Sequence, residues 1–376
     1  MKNTVSVMLF LALACRAAAA QDANLMEGQD KPRTIEEKFE DLRKALPFDL
    51  HGGAYLWHYQ PFLGKGAKPD TSLYYAWLSL SAKFDDFGFY FEPHFRDTPL
   101  RAFFQSNFWV QEIYASWKVP WGLGTLKAGK EYNRQGRFWD GSFYGNLPYF
   151  DGLKLDPDIG FSLENTVPAG KDLSVEYSAQ YFTNDGRTNG SLVGGAGPRD
   201  TIGDTTSRER NIFTFRVAPT YKISDDVSVT LGVSAMHEEA NFDTNPPATP
   251  PNDMVGRYTI EGALNVGPAV LYGEYTVQSG HHVLNYPVAG VLSDHNRYVM
   301  AGAEYKWDMF TFRYNYSLAD YHIDTRVRET FHMPAVVAAV HKHLSLWLEY
   351  VYWRQDVPGH DSFMDRSLNI VLDIHF

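Results

Sequence analysis

Apolar and polar positions alternate with a period of two along most of the chain. In the last segment Leu368, Ile370, Leu372, Ile374 and Phe376 share one face, and Asn369, Val371, Asp373 and His375 share the other. Phe310, Phe312, Tyr314, Tyr316 and Leu318 likewise oppose Thr311, Arg313, Asn315 and Ser317. Leu344, Leu346, Leu348, Tyr350 and Tyr352 oppose Ser345, Trp347, Glu349 and Trp353, and Leu173, Val175, Tyr177, Ala179 and Tyr181 oppose Ser174, Glu176, Ser178 and Gln180. Successive side chains of a strand point to opposite faces, so each run predicts a β-strand with one apolar and one polar side. Strands are expected near 48–60, 72–84, 86–95, 107–119, 122–132, 150–166, 172–183, 209–222, 226–240, 254–266, 269–279, 296–306, 309–321, 332–341, 344–355 and 366–376. The count is sixteen if 150–166 is one strand interrupted at Asp156-Pro157-Asp158; two strands there would make it odd.

A water-soluble β-sandwich alternates too. Three features point instead to an all-β, antiparallel barrel crossing a membrane. Aromatics gather toward strand ends, with Phe310 and Phe312 at one end and Tyr350, Tyr352 and Trp353 at the other, as interfacial girdles require. The polar face carries Arg216, Glu261, Glu304, Lys306 and Arg313, which a water-filled interior solvates and a dry core does not. The connections also alternate in length. Short turns at Pro168-Ala169-Gly170, Ser224-Asp225, Gly267-Pro268, Trp307-Asp308 and His341-Lys342-His343 are interleaved with long polar loops at 184–208, 241–253, 280–295, 322–331 and 356–365. Short inner turns and long outer loops are the plan of outer-membrane barrels.

The N-terminus sets the compartment. Residues 1–20 hold Lys2, an apolar run from Val5 to Cys15 and the small residues Ala18-Ala19-Ala20, the three-part plan of a secretory signal peptide cleaved before Gln21. A membrane-spanning helix needs about 20 apolar residues; a lipoprotein signal acting through Cys15 is a further alternative. Cleavage removes Lys2, Arg16 and the only cysteine, takes the net charge from -11 to -13, and leaves a chain without thiol chemistry. So acidic a chain argues against nucleic acid and other polyanions as partners. Residues 21–47 form a periplasmic segment before the barrel of 48–376. Thr34 and Glu37 have capping-box spacing, and Ile35, Phe39, Leu42 and Leu46 share a helical face, so this stretch is either an amphipathic helix or a poorly ordered tail.

Composition now makes sense. The chain has 25 Phe, 23 Tyr and 9 Trp among 376 residues, yet its mean hydropathy is -0.34. Alternation cancels the two faces in any average, so the negative value excludes membrane helices but not membrane strands.

In this register the third outer loop is 133–149, NRQGRFWDGSFYGNLPY, with three glycines, five aromatics and the charges Arg134, Arg137 and Asp140. The strand before it adds Lys127 and Lys130. Sixteen strands leave a wide lumen, and glycine with aromatics suits a loop that bends inward against the wall. Strand count, periplasmic termini, the terminal aromatic Phe376 and this third loop resemble the Gram-negative outer-membrane porin superfamily over about residues 48–376. The resemblance implies passive diffusion of small hydrophilic solutes through an outer-membrane channel narrowed by the third loop. It implies no enzyme activity and no cofactor. It further implies contacts with outer-membrane lipid and lipopolysaccharide, recognition of Phe376 by the barrel-assembly machinery, and a homotrimer. By the same analogy Lys130, Arg134, Arg137 and Asp140, with Arg96 and Arg101 of the second loop, are candidate constriction residues. Tyr75, Trp77, Trp347 and Trp353 are candidate lumen aromatics, for sugar stacking or for packing.

Other chemistries find little support. His341, His343, His281 and His282 lie in turns or loops without completing a metal set, and His237-Glu238-Glu239 lacks the second histidine of a zinc-protease motif. Two alternatives remain: an outer-membrane barrel hydrolase using a rim histidine such as His322, and a closed structural or adhesin-like barrel binding through its loops.

Overall fold

The computed structural model describes residues 48–63, 68–97, 108–137, 141–145, 157–185, 201–202, 205–243, 252–283, 292–322, 326–359 and 362–376. Among them are β1 (Asp49–Leu63), β2 (Asp70–Phe84), β3 (Phe87–Asp97), β4 (Phe108–Val119), β5 (Gly124–Tyr132), β6 (Pro157–Pro168), β7 (Leu173–Asp185), β8 (Thr201–Ile202) and β9 (Thr205–Lys222). They continue with β10 (Val227–Asp243), β11 (Asn252–Val266), β12 (Ala269–Val283), β13 (Leu292–Trp307), β14 (Phe310–His322), β15 (Arg326–His341), β16 (Leu344–Asp356) and β17 (Phe363–His375). The two-residue β8 pairs only with the start of β9. The other sixteen strands pair antiparallel in sequence order, and β1 pairs with both β2 and β17, so the sheet closes into a barrel.

The last strand closes on the first. The β1–β17 ladder runs from Gly53 opposite His375 to Leu63 opposite Arg366. Beyond it the Phe376 N–H donates to the Gly52 carbonyl at 2.9 Å, and the Gly52 N–H donates back at 3.2 Å. The Phe376 ring lies over Gly52, where a Cβ would come within 2.6 Å of its Cζ. A side chain there would have to displace that ring.

The two faces are inverted relative to a water-soluble protein. Outward-facing Leu231 and Ile260 are 63% and 64% exposed, whereas inward-facing Asn315, Ser317, Glu349 and Asn369 are fully buried. Hydrocarbon accepts the outer face only because every backbone group is paired within the closed sheet. At one end the strands are joined by two to four residues (85–86, 120–123, 169–172, 223–226, 267–268, 308–309 and 342–343), and Phe376 lies at the same end. The long connections are at the other.

Of three expectations, the first and third are corrected and the second is refined. Strands run further toward the long-loop end than the alternation indicated: 322–331, read as a loop, is strand from Arg326 onward. There Arg326 and Arg328 take the outward positions and Val327 the inward one, so the pattern reverses while the backbone ladder continues. Second, Pro157 and Asp158 stand at the start of β6, opposite Tyr132 and Glu131, where a strand's first residue tolerates a proline that has no N–H to give. Residues 150–156 of that expected strand lie outside the described residues. Third, Arg96 belongs to β3 and not to the second loop, because pairing of β2 with β3 continues to Asp97. The expected signal peptide and the 21–47 segment also lie outside the described residues.

Candidate functional site

The interior offers polar chemistry from every strand, since each contributes every second residue to it. Several ion pairs link the strands along the wall. Arg216 sits between Glu176 at 2.8 Å and Glu261 at 2.5 Å. Arg257 pairs with Glu238 at 2.9 Å and donates to Gln278 at 3.0 Å. Arg313 pairs with Glu304 at 2.8 Å. The wall of β3 to β6 is rich in acids: Glu92, Glu112, Glu131, Asp158 and Glu164, with Lys127 bound to Glu164 at 2.5 Å and lying over the Tyr114 ring. Glu92 also accepts from Tyr90 and meets His94 at 2.7 Å.

The connection after β5 runs along this interior. Asn133 accepts from Thr214 at 2.8 Å and donates to the Met236 sulfur at 3.0 Å. The Arg134 N–H donates to Gln180 at 2.7 Å, and the Gly136 N–H to Ser234 at 3.0 Å. Gln135 donates to Thr259 at 3.3 Å. The Arg137 N–H donates to a Glu274 carboxylate oxygen at 2.7 Å. Further along, Arg313 donates to the Gly141 carbonyl at 2.9 Å. The two carboxylate oxygens of Glu349 accept the N–H groups of Phe143 and Tyr144 at 2.8 and 2.7 Å. These partners lie on the inward faces of β7, β9, β10, β11, β12, β14 and β16. Charged acceptors for backbone N–H groups make the stronger class of hydrogen bond, and the loop has three such bonds, to two buried carboxylates.

Glycine and aromatics fit this seat. Gly136 has φ +61°, and a Cβ there would come within 2.5 Å of the Glu274 Oε2 atom. The Phe143 ring enters an aromatic cage of Tyr74, Trp57, Tyr55 and Trp347, with ring centroids at 5.0, 5.8, 6.0 and 6.4 Å. Tyr144 meets Phe331 edge-on at 6.3 Å.

The residues singled out from sequence fall into distinct settings. Arg134 is 42% exposed, with Glu164 at 3.4 Å. Arg137 stacks over the Tyr272 ring at 4.2 Å, and Tyr272 in turn donates to Asn315. Lys130 is 1% exposed and donates to the Val110 carbonyl at 2.8 Å, so its charge is held in the wall. Arg96 is buried over the Trp109 ring at 4.9 Å. Asp140 and Arg101 lie outside the described residues. Trp347 is on the inner wall beneath Arg313 and beside Phe143. Trp353 is also inward, donates to Glu329 at 2.5 Å and packs on Phe331 and Phe363. Tyr75 stacks on His94 and packs against Tyr55, and Trp77 fills the space beside Gly53. The lumen aromatics are therefore engaged in packing, much of it around the loop.

Sequence reasoning missed Glu274 and Glu349. Each is an inward-phase acid within an apolar run, YGEYT and WLEYV. The phase was readable, but a partner 137 or 206 residues away was not.

No family model and no curated protein matches the chain. Solved structures do, over 88% of its length: Salmonella typhi OmpF in complex with daunomycin (13% identity, 97% of that chain, TM-score 0.59) and the outer-membrane channel DcaP of Acinetobacter baumannii (11%, 97%, 0.59). A third is the anion-selective porin from Comamonas acidovorans (12%, 99%, 0.56). At such identities the likeness establishes the fold alone: this chain is built as a closed sixteen-stranded barrel like those of outer-membrane porins and channels.

Proposed function

We propose that the chain is an outer-membrane porin through which small hydrophilic solutes diffuse, with the third loop folded inward to narrow the passage. The observation that carries this is the set of hydrogen bonds from loop N–H groups to inward-facing Gln180, Ser234, Glu274 and Glu349. A loop that covered the mouth from outside would have no use for carboxylates buried in the wall. Arg134 and Arg137, with Asp140, Arg96 and Arg101, set the field at the constriction, and the wall-bound Lys130 adds to it from behind. Charges in a narrow passage with low-dielectric walls order water and sort solutes by sign. No cofactor or catalytic residue takes part. Export through the 1–20 signal peptide, recognition of Phe376 during barrel assembly and a homotrimer complete the proposal; one similar structure, OmpT of Vibrio cholerae, is recorded in a trimer form.

The test is planar-bilayer recording under a salt gradient. The purified protein is expected to give stepwise, ohmic conductance, and Arg134→Ala/Arg137→Ala to shift the reversal potential toward cation preference. Wild-type selectivity in that variant would remove both arginines from the constriction. Silence of the folded protein, with release of fatty acid from lipid, would support the hydrolase instead.

A further inference from the structure

One part of the lipid-facing surface breaks the rule that governs the rest. Near the long-loop end of β13 to β17, outward positions carry Arg297, Arg326, Arg328, Arg354 and Arg366, with His295, His322 and His332. They are aligned by strand pairing. Arg297 lies opposite Asp320, Asp320 opposite Arg328, and Arg328 opposite Asp356. A second row runs Tyr316, His332, Tyr352, Arg366. Asp320 is engaged by Arg326, and Asp356 by Arg354 at 2.8 Å. Among the described residues Arg297, Arg328 and Arg366 have no carboxylate within ion-pair distance, and Arg366 lies 5.3 Å from the Tyr352 ring centre.

The same row continued to the other side is neutral: Val277, Tyr258 and Ala235 precede Arg297, and Ser279, Gly256 and His237 precede His295. Further round, the outward Arg210 of β9 is matched by Glu239 at 3.1 Å, so among the described residues the excess of arginine belongs to the face of β13 to β17. Height matters as well. From Phe310, in the girdle at the short-turn end, to Asp320 is ten residues along β14. At about 3.4 Å each and a tilt of roughly 40°, that is about 26 Å along the membrane normal, the height of the apolar band. The arginines thus stand where hydrocarbon gives way to headgroups, just above Tyr314, Tyr316 and Tyr352.

We propose that this face binds a phosphorylated lipid headgroup of the outer leaflet. The inference rests on the outer-membrane reading given above. Arginine offers paired N–H donors that match phosphate oxygens, and Arg297 and Arg328 lie two strands apart, about 10 Å, a span for two phosphates on one headgroup. Five arginines against Asp320 and Asp356 leave an excess of positive charge that selects an anion, and the position beside interfacial tyrosines selects one attached to acyl chains. His332, held by Tyr314 at 2.8 Å, supplies a further donor.

The test measures equilibrium binding of fluorescent diphosphoryl lipid A to the full barrel in detergent. The variants are Arg297→Gln/Arg328→Gln/Arg366→Gln and each single change. Each arginine at an anionic lipid surface contributes about fivefold in affinity, so the triple variant is expected to bind about a hundredfold more weakly and each single about fivefold. The same lipid without its phosphates should bind weakly to all, and millimolar inorganic phosphate should not displace the intact lipid. Equal binding of the two lipids, or an unchanged triple variant, would overturn the proposal. Displacement by inorganic phosphate alone would assign a free-anion site instead, and a changed oligomeric state with unchanged lipid binding would assign the face to contact between copies. The same preparations are recorded in bilayers: channels with arginine-independent lipid binding refute this inference alone, whereas silence with arginine-dependent binding refutes the porin and leaves the lipid site standing.

Discussion

Replacing Glu349 should unseat the third loop without unfolding the barrel. Its carboxylate is fully buried and accepts the N–H groups of Phe143 and Tyr144 at 2.8 and 2.7 Å. A hydrogen bond to a charged acceptor contributes about 1.5–3 kcal/mol net, and a buried donor left alone costs about 1–3 kcal/mol. Glu349→Gln retains one acceptor oxygen and turns an NH2 group toward the other N–H. The expected loss is about 2–3 kcal/mol, or roughly 30- to 150-fold in the ratio of seated to unseated loop. Glu349→Ala removes both acceptors and loses more. The ladder of β16 with β15 and β17 is backbone and stays intact. Single-channel recording should therefore show larger conductance steps and greater open-channel noise for Gln, and more so for Ala, at unchanged heat-modifiable migration of the folded barrel. Step size and noise indistinguishable from wild type in both variants would refute the view that this carboxylate holds the loop.

Gly136→Ala places a side chain at φ +61° and against Glu274, at a cost of about 1–2 kcal/mol from the backbone alone; trypsin should then cleave folded protein after Arg134 or Arg137 several-fold faster, and wild-type cleavage rates would contradict the described seat. Deleting Phe376 removes two backbone hydrogen bonds to Gly52 and the ring that covers it. At about 1 kcal/mol per bond plus the ring's burial, stability should fall by about 2–4 kcal/mol, read as a lower urea midpoint in folding titrations. An unaltered midpoint would mean that closure does not depend on the last residue. Leu231→Arg puts a charge on the lipid face near mid-membrane, where it costs about 2–4 kcal/mol; the same titration in lipid vesicles should show that loss, and its absence would place Leu231 away from hydrocarbon.

The barrel was largely legible because a single physical rule writes it: apolar outward, polar inward, every second residue. Strands such as Leu344–Asp356 and Ala269–Val283 were expected to within a few residues, and the short turns fell where expected because glycine, proline and aspartate mark them. The rule failed where its premise fails. At the headgroup level outward positions are charged, so Arg326-Val327-Arg328 read as loop although the ladder runs on. Of the site, the loop was marked by its own composition and Arg134 and Arg137 were named, but its anchors were not. Glu274 and Glu349 acquire their role only from the N–H groups of Arg137, Phe143 and Tyr144, far away in sequence, and no local pattern encodes those contacts. The aromatics show the same limit: Trp347 was expected as a lumen aromatic, but its cage with Trp57 and Tyr74 around Phe143 depends on contacts far apart in sequence.

The central claim is a continuous aqueous path narrowed by residues 133–149, and sizing with neutral polymers tests it most directly. Polyethylene glycols of graded size are added during single-channel recording of the wild-type protein and of Glu349→Ala. Small polymers should enter and lower the wild-type conductance, larger ones should be excluded, and the cutoff should move to larger polymers in Glu349→Ala. Exclusion of even the smallest polymers, or one cutoff shared by both proteins, would contradict it.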